Sequence, residues 1–215
     1  NCSRSLLGDG RDFRVVSNGS CPSLNLPYIG VPQDYFFMTN LSQGTQVLDP
    51  INHEFVFNTS VSLTSVNEVW EDNDPSTHIL RPGHYYSSGT ITLTDKHTRG
   101  SVTFIANQII IENNTTSDIW DWNEDNYIGL EFYDPNGLLL WGTGSGANTI
   151  LIKGDDGTWN PCVKLIGMIF APDGEIELLG WGSTASGFSK AFITKGGIMG
   201  KDLTVSGRDW FIYRW

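Results

Sequence analysis

The segment GMIFAPDGEIELLG, Gly167–Gly180, decides the fold. It reads as a short apolar strand, a Pro-Asp-Gly corner and a second short apolar strand, because these three residue types favour sharp turns. A similar pattern follows in KAFITKGGIMGKDLTVSG, Lys190–Gly207. Two successive units of strand, corner and strand, each punctuated by glycine, predict a repeating β structure.

The two units align at similar offsets. Ile169–Ala171 matches Ile193–Lys195 at an offset of 24 residues, and Ile176–Leu178 matches Leu203–Val205 at an offset of 27. A nearly constant offset of about two dozen residues, with two strands per unit, predicts the coil of a parallel β-helix, whose strands stack ~4.8 Å apart. The alternative is an antiparallel β-sandwich, which predicts alternation but no preserved offset.

Short strands continue through most of the chain. Phe55, Phe57, Val61 and Leu63 alternate with polar residues, as in a strand with one buried face. No stretch of eleven or more residues shows a capped helical period. We therefore predict an all-β chain with a right-handed parallel β-helix, or β-solenoid, over residues 34–215. An irregular N-terminal arm, rich in Pro, Gly, Ser and Asn, occupies residues 1–33.

Charge and hydropathy exclude two classes of partner. The chain has 13 basic and 24 acidic residues, a net charge of −11 and a pI near 4.6. Nucleic acids and anionic membranes bind basic surfaces, so neither is an expected partner. No apolar run reaches the ~18–20 residues of a transmembrane segment. The chain starts at Asn1, which suggests a mature chain whose leader has been removed.

Cysteines and glycosylation sequons point outside the cell. Cys2 and Cys21 bracket a Gly/Ser/Arg-rich loop, and a disulfide between them would staple the arm; two free cytosolic thiols are the alternative. Cys162 is expected to be a small buried hydrophobe rather than a nucleophile. Sequons for N-glycosylation occur at Asn1, Asn18, Asn40, Asn58, Asn113 and Asn114. They predict either an exported glycoprotein or an unglycosylated Asn/Thr-rich β surface.

One acidic loop has the alternating oxygen ligands that Ca²⁺ prefers. These are Asp121, Asn123 and Asp125. The loop is not an EF-hand, because Asn126 and Phe132 stand where that motif needs Gly and Glu. The competing interpretation is a solvated acidic turn. Apart from Ca²⁺, no cofactor is predicted.

The sequence has no strong catalytic signature. Glu175 and Glu177 alternate around Ile176 and should face outwards about 7 Å apart, which suits a solubilising exposed strand better than a glycosidase pair. The four histidines are scattered without zinc-ligand spacing. The Gly-rich segment Gly142–Asn148 lacks the following helix of a phosphate-binding loop. We therefore expect no enzyme activity.

Two groups of tryptophans are candidate contact residues. Trp120 and Trp122 flank the acidic loop and would share one face of a strand, where they could stack on a sugar ring. Trp210 and Trp215 lie in the aromatic C-terminal segment. The open end of a solenoid must be capped or paired, so these residues are expected to form a cap or a subunit contact.

Four segments together resemble a bacterial surface family. They are LRPGHYYSSGTITLT, GSVTFIANQIIIENN and the two units quoted above. They are similar to the β-helical C-terminal region of proteins associated with Tad (Flp) pilus assembly, and more distantly to the polymer-forming β-solenoids of the bactofilin type. The resemblance covers about Ile79 to Val205, with Phe170 where such units usually have Tyr. It implies a cell-surface structural role and no enzyme.

These observations predict a structural subunit of an extracellular cell-surface filament, pilus or sheath, with an adhesive role as a further possibility. It would self-assemble into a homopolymer through its N-terminal arm and its solenoid ends. The alternative is a β-helix protein that binds or cleaves carbohydrate, with glycans as partners. Convergence of Trp120, Trp122 and the acidic loop in one groove would favour that alternative.

Overall fold

The computed structural model describes residues 4–7, 14–17, 46–74, 77–94, 98–112, 127–153, 162–179, 192–195, 197–206 and 210–213. These residues form strands, turns and two short 3-10 turns at Leu63–Ser65 and Asn67–Val69. The described part of the chain has no α-helix. The prediction of an all-β protein is therefore confirmed.

The strands form two sheets. In the first, β1 (Arg4–Leu7) and β2 (Arg14–Ser17) pair antiparallel, so the N-terminal arm is not irregular throughout, as the sequence suggested. The second is a mixed sheet of fifteen strands. Its strands are β3 (Val47–Asp49), β4 (Glu54–Phe57), β5 (Val61–Ser62), β6 (Trp70–Asp74), β7 (Thr77–Leu80), β8 (Gly83–Thr94), β9 (Arg99–Glu112), β10 (Tyr127–Phe132), β11 (Leu138–Gly142), β12 (Ile150–Lys153), β13 (Cys162–Ile166), β14 (Met168–Leu179), β15 (Phe192–Lys195), β16 (Ile198–Ser206) and β17 (Trp210–Tyr213).

Most pairings in the large sheet are parallel, and they fall into three ladders. The first ladder runs β4-β8-β9-β11-β14-β16, the second β5-β8-β9-β12-β14-β16 and the third β7-β9-β10-β13-β15-β17. The long strands β8, β9, β14 and β16 join the first ladder to the second. Each joins them through a corner, and the strand register shifts at two of these corners.

Parallel register stacks similar residues into buried columns. In the first ladder the column consists of Phe55, Tyr85, Phe104, Leu140, Ile169 and Ile198. In the second it consists of Val61, Ile91, Ile109, Ile150, Ile176 and Leu203. The Tyr85 ring stacks on Phe55, with centroids 4.5 Å apart, and meets Phe104 edge-on at 5.4 Å. Burying each such side chain contributes about 1.5–3 kcal/mol.

The register confirms one predicted alignment and shows that the other is wrong. Ile176 pairs with Leu203, at the predicted offset of 27 residues. Ile169 pairs with Ile198 instead of Ile193, and Ile193 pairs with Lys164. The predicted constant offset is also wrong, because partners in the second ladder lie between 18 residues apart (Ile91 and Ile109) and 41 apart (Ile109 and Ile150). Hydrogen bonding fixes the strands, whereas the connections between them vary in length.

The Gly-rich segment Gly142–Asn148 forms a corner of the stack. Its Gly144 amide donates to the Asn107 carbonyl at 3.1 Å, and the Thr149 hydroxyl donates to the Gly146 carbonyl at 2.8 Å. The Pro-Asp-Gly corner of β14 packs directly against this segment. A Cβ on Gly174 would lie only 2.7 Å from the Gly144 carbonyl oxygen, and it would also overlap the Thr149 side chain.

We therefore expect Gly174→Ala to lower the free energy of unfolding by about 1–3 kcal/mol, because neighbouring backbone must move to admit the methyl group. Urea denaturation measures this change. Gly146→Ala is the matched control, since nothing lies within 4 Å of an added Cβ there. Equal stability of the two variants would contradict the close packing of the two corners.

Candidate functional site

Most residues singled out from the sequence lie outside the described residues. They are Cys2, Cys21, Asn1, Asn18, Asn40, Asn113, Asn114, Trp120, Asp121, Trp122, Asn123, Asp125 and Trp215. The disulfide, the Ca²⁺ loop, the tryptophan pair and five of the sequons therefore stay predictions.

Three of the remaining candidates lie on or next to strands of the large sheet. Asn58 directly follows β4 and is half-buried, and its backbone carbonyl accepts a hydrogen bond from the Ser88 hydroxyl. Cys162 is the first residue of β13, where its backbone is in register with Tyr127. Trp210 is the first residue of β17, in register with Phe192. These three residues are not brought together in one pairing.

Glu175 and Glu177 lie on the outer face of β14, as predicted from their alternation. Ile176 between them is fully buried, whereas both glutamates are half-exposed. The Glu175 carboxylate accepts a hydrogen bond of 2.7 Å from the Thr204 hydroxyl on the neighbouring strand β16. This contact gives Glu175 a role in linking two adjacent strands of the stack.

The fold also assembles an ion cluster that the sequence did not reveal, here called the His84 cluster. His84 Nδ1 lies 3.1 Å from Glu54 Oε1, and its Nε2 lies 3.6 Å from Asp134 Oδ2. The three side chains are only 15%, 12% and 5% exposed, respectively. Glu54 and His84 are register partners in the first ladder, and Asp134 opens the turn before β11. The cluster thus ties together consecutive layers of the stack.

The two carboxylates keep the imidazole charged. Burial lowers the pKa of His84, but hydrogen bonding to Asp134 and Glu54 and their negative charges outweigh it, and the pKa rises from the ordinary 6.5 to about 9. Below that pH the ring carries a positive charge between two negative ones. A buried pair of this kind is costly to break, because a lone charge would remain desolvated.

This chemistry identifies a structural cation and not a catalytic base. A protonated ring has no free lone pair with which to accept a proton or bind a metal. Across the described ranges, no group of three or more His, Cys, Asp or Glu side chains could hold a metal ion. Tyr133 packs edge-on against His84 at 5.1 Å and also contacts His53 at 5.6 Å. The prediction that the histidines are scattered is therefore wrong for these two.

The two ends of the large sheet differ. At the N-terminal end, β3 pairs antiparallel with β4, and β6 pairs antiparallel with β7, so the parallel stack stops at strands of reversed direction. Leu63, Val69 and Trp70 from the adjoining 3-10 turns and β6 are buried there. The core is therefore closed at this end.

At the other end, β16 and β17 form what we call the C-terminal edge. Within the described strands, β16 pairs only with β14, and β17 only with β15. Leu203 occupies the core column of the second ladder yet is 44% exposed, whereas its partner Ile176 is fully buried. Ile198 and Val205 on the same strand pack against the core but are only partly buried. The apolar core therefore reaches solvent at this edge.

Comparison of the chain with models of known protein families, with curated proteins and with solved structures finds no significant match. The described part of the chain contains no helix with the length and apolarity that a membrane span requires. The arguments that follow therefore rest on the geometry of the sheet and on the residues themselves.

The charge on His84 predicts a characteristic pH dependence. Because the pKa in the folded state lies above 6.5, the contribution of His84 to stability is complete below pH 6.5 and is lost as the pH rises through about 9. The loss amounts to about 3 kcal/mol at most, since one pKa unit corresponds to ~1.4 kcal/mol. Denaturation at pH 6.5 to 9.5 should show His84→Gln markedly less stable than the parent at low pH, with a gap that narrows as the pH rises.

The control is His78→Gln, because His78 contacts the Trp70 ring and lies outside the His84 cluster. It should retain the pH slope of the parent. Other groups that titrate in this range are common to the parent and the variant and cancel in the difference. A stability gap independent of pH would contradict a buried imidazolium at position 84.

Proposed function

We propose that this chain is a structural subunit of an extracellular cell-surface assembly, such as a filament, pilus or sheath, that works through contacts between subunits and not through catalysis. The observation that carries the proposal is the C-terminal edge, where a row of backbone groups and an apolar core are both left open. Sheet edges of this kind pair readily with another chain unless they are protected.

The proposed architecture is a right-handed parallel β-helix in which the three ladders are three faces. Its support is the register, which returns each ladder to the same column of residues after every coil. Crossover connections between parallel strands of one sheet are almost always right-handed. In the described large sheet, antiparallel pairs occur only between β3 and β4 and between β6 and β7. A β-sandwich would need antiparallel pairing throughout.

The C-terminal edge has the features of an assembly surface. Strand β16 is nine residues long, and β17 has the uncharged sequence Trp-Phe-Ile-Tyr. Pairing along these strands would satisfy their outer backbone groups and remove Leu203 from water. A fully buried leucine contributes about 1.5–3 kcal/mol, and each hydrogen bond adds about 1 kcal/mol.

The acidity of the chain favours contacts through backbone and apolar groups. With a net charge of −11, subunits repel each other at long range, and the repulsion weakens as salt screens it. Association through a sheet edge therefore should not weaken in salt. This behaviour is opposite to that of assemblies held together by complementary charged patches.

The sequence supports placing the subunit outside the cell. Six sequons and the Cys2–Cys21 loop suit an exported protein, and the resemblance to Tad-associated and bactofilin-type solenoids suits a surface role. The N-terminal arm, which contains the β1–β2 hairpin, is proposed as a second contact element because it belongs to a sheet of its own. Adhesion would then be a property of the assembled surface.

Sedimentation velocity over a wide concentration range tests the proposal. We expect a concentration-dependent shift from monomer to larger species that is preserved or strengthened when salt rises from 50 to about 500 mM. Negative-stain electron microscopy of the concentrated sample should show regular particles or filaments. Addition of EDTA tests the predicted Ca²⁺ loop, since loss of the particles in EDTA would assign assembly to that loop.

A chain that remains monomeric at every concentration and salt level would overturn the proposed function. Association that dissolves on adding salt would instead indicate charged contacts, and would contradict the role of the sheet edge.

A further inference from the structure

We propose that the C-terminal edge of one subunit pairs with the same edge of a second copy, so that the first assembly unit is a closed two-fold dimer. This inference rests on the proposed function, because it names the partner of the surface that carries it. The same patch then serves both subunits, and residue i of one contacts residue j of the other in both directions.

The closed N-terminal end argues against head-to-tail stacking. A second copy offering that end would present β3, which has three residues, and β6, whose Glu71 and Asp72 are exposed. Short strands and charged side chains are the usual protection of a sheet edge. The buried Leu63 and Val69 leave no open core for Leu203 to complete. The C-terminal edge of another copy does present such a core.

The charges of the edge are self-complementary. Lys201 and Asp202 are adjacent and exposed on β16, one of each sign. When two copies of β16 pair antiparallel around a two-fold axis close to these residues, Lys201 of each copy lies opposite Asp202 of the other. Opposite charges facing each other across strands stabilise a pairing, whereas like charges destabilise it. On the acidic β6, the same operation would bring like charges together.

The apolar residues of the edge fit the same pairing. The exposed Leu203 and the partly buried Ile198 and Val205 continue the core columns of the first two ladders. A second copy brings the same three residues, so that each core is covered by the other. The contact would therefore extend the buried columns of one subunit into those of its partner, and would bury Leu203 twice.

Cross-linking of engineered cysteines in the full chain tests the symmetry. Thr204→Cys places a thiol on the C-terminal edge, and Ser62→Cys places one on β5 at the closed end. A short bismaleimide should produce covalent dimers from Thr204→Cys alone, well above the level that the parent chain forms through Cys2, Cys21 and Cys162. Ser62→Cys alone should not exceed the parent level.

Each other outcome decides the matter differently. Cross-links that appear only when Thr204→Cys and Ser62→Cys are mixed would show head-to-tail stacking, which overturns the two-fold dimer and leaves the proposed function standing. Oligomers that cross-link at neither position would place the contact elsewhere, for example at the β1–β2 hairpin, with the same consequence. A chain that is monomeric in sedimentation and forms no excess cross-links would overturn both proposals.

A substitution provides an independent measurement. Leu203→Asp places a charge in the middle of the contact and should weaken dimerisation at least about tenfold, as for a central interface residue. Ile51→Asp is the matched control, because Ile51 is exposed and lies between β3 and β4 at the closed end. It should dimerise like the parent. Thermal unfolding verifies that both variants fold, and equal dimerisation of the two would overturn the inference.

Discussion

The structure depends on the hydrogen-bond register between parallel strands. Once two strands of a ladder are in register, every residue lies beside its counterpart in the next layer, and side chains on one face of a strand continue a column. The isoleucine column Ile91, Ile109, Ile150 and Ile176 is the direct result. A slip of one residue would turn all of these side chains outwards, so the buried column and the register stabilise each other.

The sequence revealed the strands better than it revealed their partners. The alternation around Ile176 correctly predicted both the buried core residue and the two outward glutamates, because a strand has the same two-residue period in any sheet. The partner of Ile169 was predicted wrongly because the two repeated units were aligned at one offset. The connections between layers differ by more than twenty residues, as the intervals before and after Ile109 show. Loop closure costs little more as a loop lengthens, so spacing along the chain is a weak guide to layer.

The His84 cluster shows a second limit of sequence analysis. Glu54, His84 and Asp134 belong to three separate segments, and none of them lies in a recognisable motif. Register alone brings the first two together, and the turn before β11 brings the third. A histidine judged by sequence neighbours therefore gave no sign that it would be a buried cation. The same applies to the C-terminal edge, since the exposure of Leu203 depends on which strands cover it and not on the residues around it.

The difference between the two ends follows from the stacking itself. A parallel stack presents the same open edge after every layer, so nothing in a repeating unit stops it. Reversal of strand direction does so at β3 and β6, where the edge strands are short or acidic and the core is sealed by Leu63 and Val69. At β16 and β17 the described strands keep the parallel direction, and the core column ends in an exposed leucine. A stack stopped at one end and open at the other has only one edge suited to extension, and such an edge is best completed by another edge of the same kind.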